Sequence, residues 1–245
     1  MDSGSASMVS YHVSCASDAV ESKYLKRVQY LRWVRLGLAV ILFSIAVSII
    51  ACEAVPLKHY QVTSAYGKVG LYLWPMNFDI RPTVALLSCG CVIAFLNLAY
   101  TIAALLPSPH AHVTRLNLLA ATVAFSGFFA ALVGLTFAIY LPGSNPPSGF
   151  STVETIQSWT CKWESVHGQL SPKLDSTVTP PARFARDCAL TQASFIMTGL
   201  AIGLEILMGV ATGVGFWLER SVSKERELDV SPLRKVDVTP KHSGP

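Results

Sequence analysis

CALTQASFIMTGLAIGLEILMGVATGVGFWLER, residues 188 to 220, decides how the rest of the chain is read. Between Ala189 and Leu218 its one charged side chain is Glu205. A helix over this run, at about 1.5 Å per residue, is long enough to cross the roughly 30 Å hydrocarbon core of a bilayer. At about 100° per residue, Gly199, Gly203, Gly209 and Gly213 fall on one stripe. Two Gly-x-x-x-Gly spacings on a shared face let another helix backbone approach closely. Thr198, Glu205 and Thr212 line the edge of that stripe, so the acid is expected beside a packing face.

Working outward, the chain of 245 residues is 51% hydrophobic and 14% charged, and the charges cluster. The windows 84–106 and 116–141 contain no charged side chain, and 34–52 contains only Arg35, at its edge. Each is long and apolar enough for a membrane helix. The expected fold is therefore an all-α membrane protein, a four-transmembrane-helix bundle with crossings at about 34–52, 84–106, 116–141 and 189–218. Residues 1–21 are small and polar, without the basic start and apolar centre of a signal peptide, and are expected to be disordered and cytoplasmic. The tail, 219–245, is expected to be disordered as well.

Orientation follows from the basic residues. Lys23, Lys26, Arg27, Arg32, Arg35, Arg115, Arg220, Lys224, Arg226, Arg234, Lys235 and Lys241 fall on one side of such a membrane domain. The longer loops opposite hold Lys58, Lys68, Arg81, Lys162, Lys173, Arg183 and Arg186. Both termini are thus expected in the cytoplasm, in a plasma membrane or endomembrane. The net charge of +4 is accounted for by this topology and gives no reason to expect a nucleic-acid partner.

Two outer loops, 54–82 and 142–187, carry local signals. Tyr60, Val62, Tyr66, Val69, Leu71 and Leu73, interrupted by Gly67 and Gly70, suggest a small hairpin. Asp79 and Arg81 are placed to pair, and Pro82 suits the start of the second crossing. Ser151 and Glu154 have capping-box spacing ahead of Val153, Ile156, Trp159 and Trp163, which predicts an amphipathic helix over 152–164. Trp33, Trp74, Trp159, Trp163 and Trp217 are read as anchors at the membrane interface.

Cys161 and Cys188 lie on the oxidising side and are the expected disulfide, with Cys52 as competitor. Cys89 and Cys91 are read as packing residues. Glu205 lies near the bilayer midplane, where an ionised carboxylate costs roughly 3 kcal/mol or more. Counting rise along each crossing brings Ser44, Asn97 and Ser126 near its depth, so these four are expected to form one polar layer. No crossing contains a histidine, which argues against a bis-histidine haem, and no P-loop, Gly-x-Gly-x-x-Gly or His-Glu-x-x-His motif occurs. His110 and His112 are read as polar turn residues. No cofactor and no metal are expected.

The layout of four crossings with both ends inside resembles MARVEL and claudin-like tetraspan proteins. Gly70-Leu-Tyr-Leu-Trp74 echoes the claudin Gly-Leu-Trp, although the cysteine pair that follows it there is missing; the Cys-Cys-Gly of classical tetraspanins is missing too. LYLWPMNFDIRP, 71–82, and ETIQSWTCKW, 154–163, look like strings in uncharacterised tetraspan membrane proteins of filamentous fungi. The expected function is non-enzymatic: a scaffold or organiser binding membrane lipids, other membrane proteins or its own copies. The alternative is a small membrane-embedded enzyme or accessory protein acting on a lipophilic metabolite, with Glu205 as acid, base or ligand group.

Overall fold

The computed structural model of the chain describes residues 5–70, 73–75, 78–106, 113–140, 154–170 and 183–236. Its helices are α1 (Ser5–Ser64), α2 (Arg81–Leu105), α3 (Val113–Tyr140), α4 (Ile156–Leu170) and α5 (Phe184–Val236). Among the described residues, four segments are long and apolar enough to cross a membrane: Lys26–Gly67, Arg81–Leu105, Arg115–Ile139 and Phe184–Ser221.

These four pack as a ring. α1 lies against α2 and α5, and α3 closes the circle between the same two. Neighbours run antiparallel: Gly90 of α2 faces Ala46, Ile49 and Ile50 of α1, whereas Ala104 accepts a hydrogen bond from Arg32. Each helix turns a buried strip inward at alternating steps of three and four residues. On α1 the strip runs Arg35, Ala39, Leu42, Ala46, Ile49, Glu53, Pro56; on α2 it runs Thr83, Leu86, Gly90, Ile93, Asn97, Tyr100, Ala104. On α3 it is Asn117, Ala120, Ala124, Gly127, Ala131, Gly134, Ala138. A repeat of 3.5 keeps one seam facing its neighbours over many turns, the pattern of left-handed bundles. The outward faces carry Phe95, Phe125, Ile196, Leu200, Ile206 and Val210, all exposed, which is costly in water and costs nothing in lipid.

Several boundaries differ from the sequence expectation. α1 begins at Ser5, so most of the stretch expected to be disordered is helical; no Gly or Pro lies between Ser5 and Gly37 to stop propagation from the apolar segment. α5 likewise runs to Val236, well into the expected tail. The hairpin does not form. α1 continues past Cys52, through Pro56, to Ser64, because Glu53, His59 and Thr63 on that extension all meet inward partners. A short 3-10 helix, Ala65–Val69, then ends at Gly70, whose φ of 83° suits glycine and little else.

The strands instead join the two loops: β1 (Phe78–Asp79) pairs in parallel with β2 (Glu154–Thr155). α4 follows β2 directly, behind a capping box set four residues later than expected. The Ser158 amide donates to Thr155 Oγ1 at 3.2 Å, and the Thr155 amide donates to Ser158 Oγ at 2.8 Å. Glu154 accepts from Ser158 Oγ and from Lys162 Nζ. Asp79 accepts from the Arg81 amide at 2.8 Å, and Pro82 sits in the first turn of α2, where its missing N–H costs nothing. The expectations for Ser151, His110 and His112 fall outside the described residues.

Candidate functional site: a polar column on the ring axis

The inward strip of α5 differs in kind from the others. It reads Asp187, Thr191, Ser194, Thr198, Ala201, Glu205, Met208, Thr212, Gly215, in the same three-four rhythm. Thr191, Thr198 and Thr212 donate to the carbonyls four residues back, at 2.7 to 3.0 Å, which holds their hydroxyl protons within the helix. Their oxygens still face the axis as acceptors.

Glu205 occupies the middle level. It is 1% exposed, and neither carboxylate oxygen has a hydrogen-bond partner among the described residues. Asn97 of α2 is its polar neighbour, and Cys89 lies within electrostatic reach. The Asn97 amide donates to Ile93 O at 3.0 Å, while its Oδ1 has no donor. Three acceptor oxygens at this level are therefore buried without a donor among the described residues. Gly127 of α3 makes the room, since a methyl group there would lie 2.6 Å from the Glu205 carboxyl carbon.

A second acid sits nearer the disulfide. Glu53 of α1 is 1% exposed and faces Thr83 of α2 and Ser194 of α5, both buried. Its two oxygens and Ser194 Oγ have no hydrogen-bond partner among the described residues. Glu53 lies just past the expected first crossing, 34–52; because α1 runs on to Ser64, it falls on the inward strip, eighteen residues or five turns from Arg35.

The end of the ring from which the chain termini extend is closed by a charged network. Arg35 is buried; its Nη1 donates to Asn117 Oδ1 at 2.5 Å and its Nη2 to Ala211 O at 3.0 Å. Asn117 Nδ2 donates to Glu219 Oε2 at 2.9 Å, and the Tyr100 ring stands beside the guanidinium. All four ring helices contribute. A methyl group at Gly215 would overlap that guanidinium, so glycine here is what admits the arginine.

Aromatic and covalent contacts close the opposite end. Cys161 and Cys188 are bonded, with Cα atoms 4.9 Å apart, which ties α4 to the first turns of α5. Cys52, the competitor, is free. Trp74 donates from Nε1 to Thr63 Oγ1 at 2.8 Å and packs against Tyr60, Phe78 and Phe184. His59 meets the fully buried Asp187 at 2.5 Å.

The structure does not bring the four residues of the expected polar layer together. Asn97 adjoins Glu205, but Ser44 and Ser126 are exposed on the outside of the ring, where Ser44 donates to its own helix at Val40 O. Depth alone had placed them, and rotation about the helix axis takes them away. Gly199, Gly203, Gly209 and Gly213 also face outward, with nothing from another helix of this chain nearby. Trp33 and Trp217 are exposed, and Trp159 and Trp163 pack edge to face on α4. Trp74 is 7% exposed, a core residue at the disulfide end rather than an anchor.

Glu53, Arg35, Tyr100, Asn117 and the His59–Asp187 pair were missed. The available signal was the three-four spacing that links Arg35 to Glu53 and Asp187 to Glu205. Among the described residues no group of three or more His, Cys, Asp or Glu forms a metal site. Compared with family models, curated proteins and solved structures, the chain matches none.

Proposed function

We propose that this chain is a four-span membrane protein with both ends in the cytoplasm, and that it organises lipids, partner proteins or its own copies laterally. The single observation that carries this reading is the division of α5 into two faces. Its polar strip is used within the ring, whereas Gly199, Gly203, Gly209 and Gly213 leave helix backbone uncovered among exposed Ile196, Leu200, Ile206 and Val210. In lipid, where apolar side chains gain nothing by meeting one another, such a small-residue flank is where a second helix gains van der Waals contact. The distribution of Lys and Arg between the loops supports the orientation.

Crosslinking of differently tagged copies, or of the tagged chain with co-purifying membrane proteins, tests the reading. Gly203→Leu with Gly209→Leu should abolish the crosslinked species while leaving the monomer folded. Undiminished crosslinking in that variant removes the flank as an association surface. The enzyme reading draws on Glu205 and Asn97, but a substrate would have to part four packed helices to reach a carboxyl that is 1% exposed.

A further inference from the structure

We propose that the ring axis is a proton-transfer path across the membrane, with Glu53 and Glu205 as its two carriers. The proposal rests on the four helices crossing a bilayer, and on nothing about lateral association. Two buried carboxyls in one small bundle, each with both oxygens unpartnered among the described residues, are costly to keep unless they are used.

The arrangement of the other polar groups is continuous with these two. From the disulfide end, His59 holds Asp187, which lies two turns above Ser194 on the α5 strip, about 10 Å at helical rise. Ser194 and Thr83 flank Glu53. Ser194 is about 16 Å along the axis from Glu205. Side chains on both helices tilt toward their own N-termini, so the two antiparallel acids reach toward each other and narrow that interval. Thr198 of α5 and Cys89 of α2 lie within it, both buried, and Cys89 is within electrostatic reach of Glu205. The wall there is thin: α3 contributes Gly127, Ala131 and Gly134.

Toward the termini, Asn97 is followed one turn later by Tyr100, whose ring stands at Arg35. Arg35 and Glu219 both bind Asn117, at the mouth of the ring. The groups that act on Glu205 are therefore Asn97 and Cys89 on α2, while Arg35, Tyr100, Asn117 and Glu219 form the next polar level toward the termini. Those beside Glu53 are Cys52 on its own helix, Thr83 on α2 and Ser194 on α5, with the His59–Asp187 pair at the next level toward the disulfide.

The step is a proton transfer only. An O–H bond of one carboxyl breaks as an O–H bond forms on the next acceptor, and the carboxylate left behind is reprotonated from the opposite side. A neutral acid can wait in the low-dielectric interior, with Asn97 as the polar neighbour of Glu205.

The test is proton flux into vesicles of phosphatidylcholine with a minor share of phosphatidylglycerol, containing the full chain and an entrapped pH-sensitive dye. A potassium gradient with valinomycin supplies the driving potential. The wild type should acidify the lumen at least fivefold faster than protein-free vesicles, equally in sodium and in choline buffer. Glu53→Gln and Glu205→Gln should each remove that excess. Glu205→Asp, which restores a carboxyl, should keep at least half, and Glu154→Gln, off the axis, should keep all of it. No excess flux in the wild type, full flux in either glutamine variant, loss of flux in Glu205→Asp, or a requirement for sodium would overturn the proposal. Flotation of the vesicles after an alkaline wash reports insertion separately: protein that floats but does not conduct refutes the path, and protein that does not float refutes the membrane reading itself.

Discussion

The two ends of the helix ring are closed by opposite chemistry. At one, Trp74, Tyr60, Phe78 and Phe184 pack into an aromatic plug, β1 pairs with β2, and a disulfide pins α4 to α5. At the other, one buried arginine, an asparagine and a glutamate are linked by hydrogen bonds. The first end brings together segments far apart in sequence, and the entropy of ordering them is offset by apolar burial and a covalent tie. The second joins α2 to α3 through few residues, so directional bonds between helices suffice. The comparison teaches that the ring is not held uniformly, and that each end should fail under a different insult.

The largest effect is expected from Trp74→Ala, about 4 kcal/mol, because the ring fills the centre of the aromatic plug and its N–H satisfies Thr63. Thermal unfolding in detergent, followed by tryptophan fluorescence, should show a fall in midpoint; an unchanged midpoint would mean the plug does not hold that end. Cys161→Ser comes next, at about 3.5 kcal/mol for the loop closed by a sequence separation of 27. Dithiothreitol should reproduce that loss in the wild type and add nothing in the variant. Arg35→Ala should cost about 3 kcal/mol by leaving Asn117 Oδ1 and Ala211 O without the guanidinium that donates to them, and this loss should be indifferent to reductant. If reductant and Arg35→Ala prove non-additive, the two ends are coupled rather than separate.

Smaller effects sharpen the same contrast between interior and exterior glycines. Gly127→Ala should cost about 2 kcal/mol through collision with the Glu205 carboxyl, and Glu205→Ala in the same chain should recover most of it. A double variant no better than Gly127→Ala alone would show that the glycine serves something else. Gly203→Ala meets open space and should move the midpoint by less than about 0.5 kcal/mol, even though bulkier residues there interrupt association.

Composition alone was enough for the long helices, because lipid leaves a backbone few options: unpaired N–H and C=O groups are so costly there that an apolar run of such length must become helix. The Cys161–Cys188 pairing was legible for a similar reason, since few cysteines lie on the same side. The neighbour of Glu205 was legible through Asn97, as a polar amide in an otherwise apolar crossing needs a partner.

Rotation was not legible. Ser44 and Ser126 share the depth of Glu205, yet they face outward, and the glycines of α5 turn away from the acid's own strip. A helix fixes spacing along its axis and angle about it, but which angle faces inward depends on the three other strips it must match. Nor did local propensity foresee that α1 runs on to Ser64: the β-prone residues after His59 were overruled because the extended helix seats Glu53, His59 and Thr63 against α2, α5 and Trp74. The sequence by itself determined that four apolar helices form, because chain length, hydropathy and backbone hydrogen bonding are local quantities. Only the tertiary structure decided which side chains share the axis, because burial is settled among helices distant in sequence and a polar group goes inward where small neighbours leave it room.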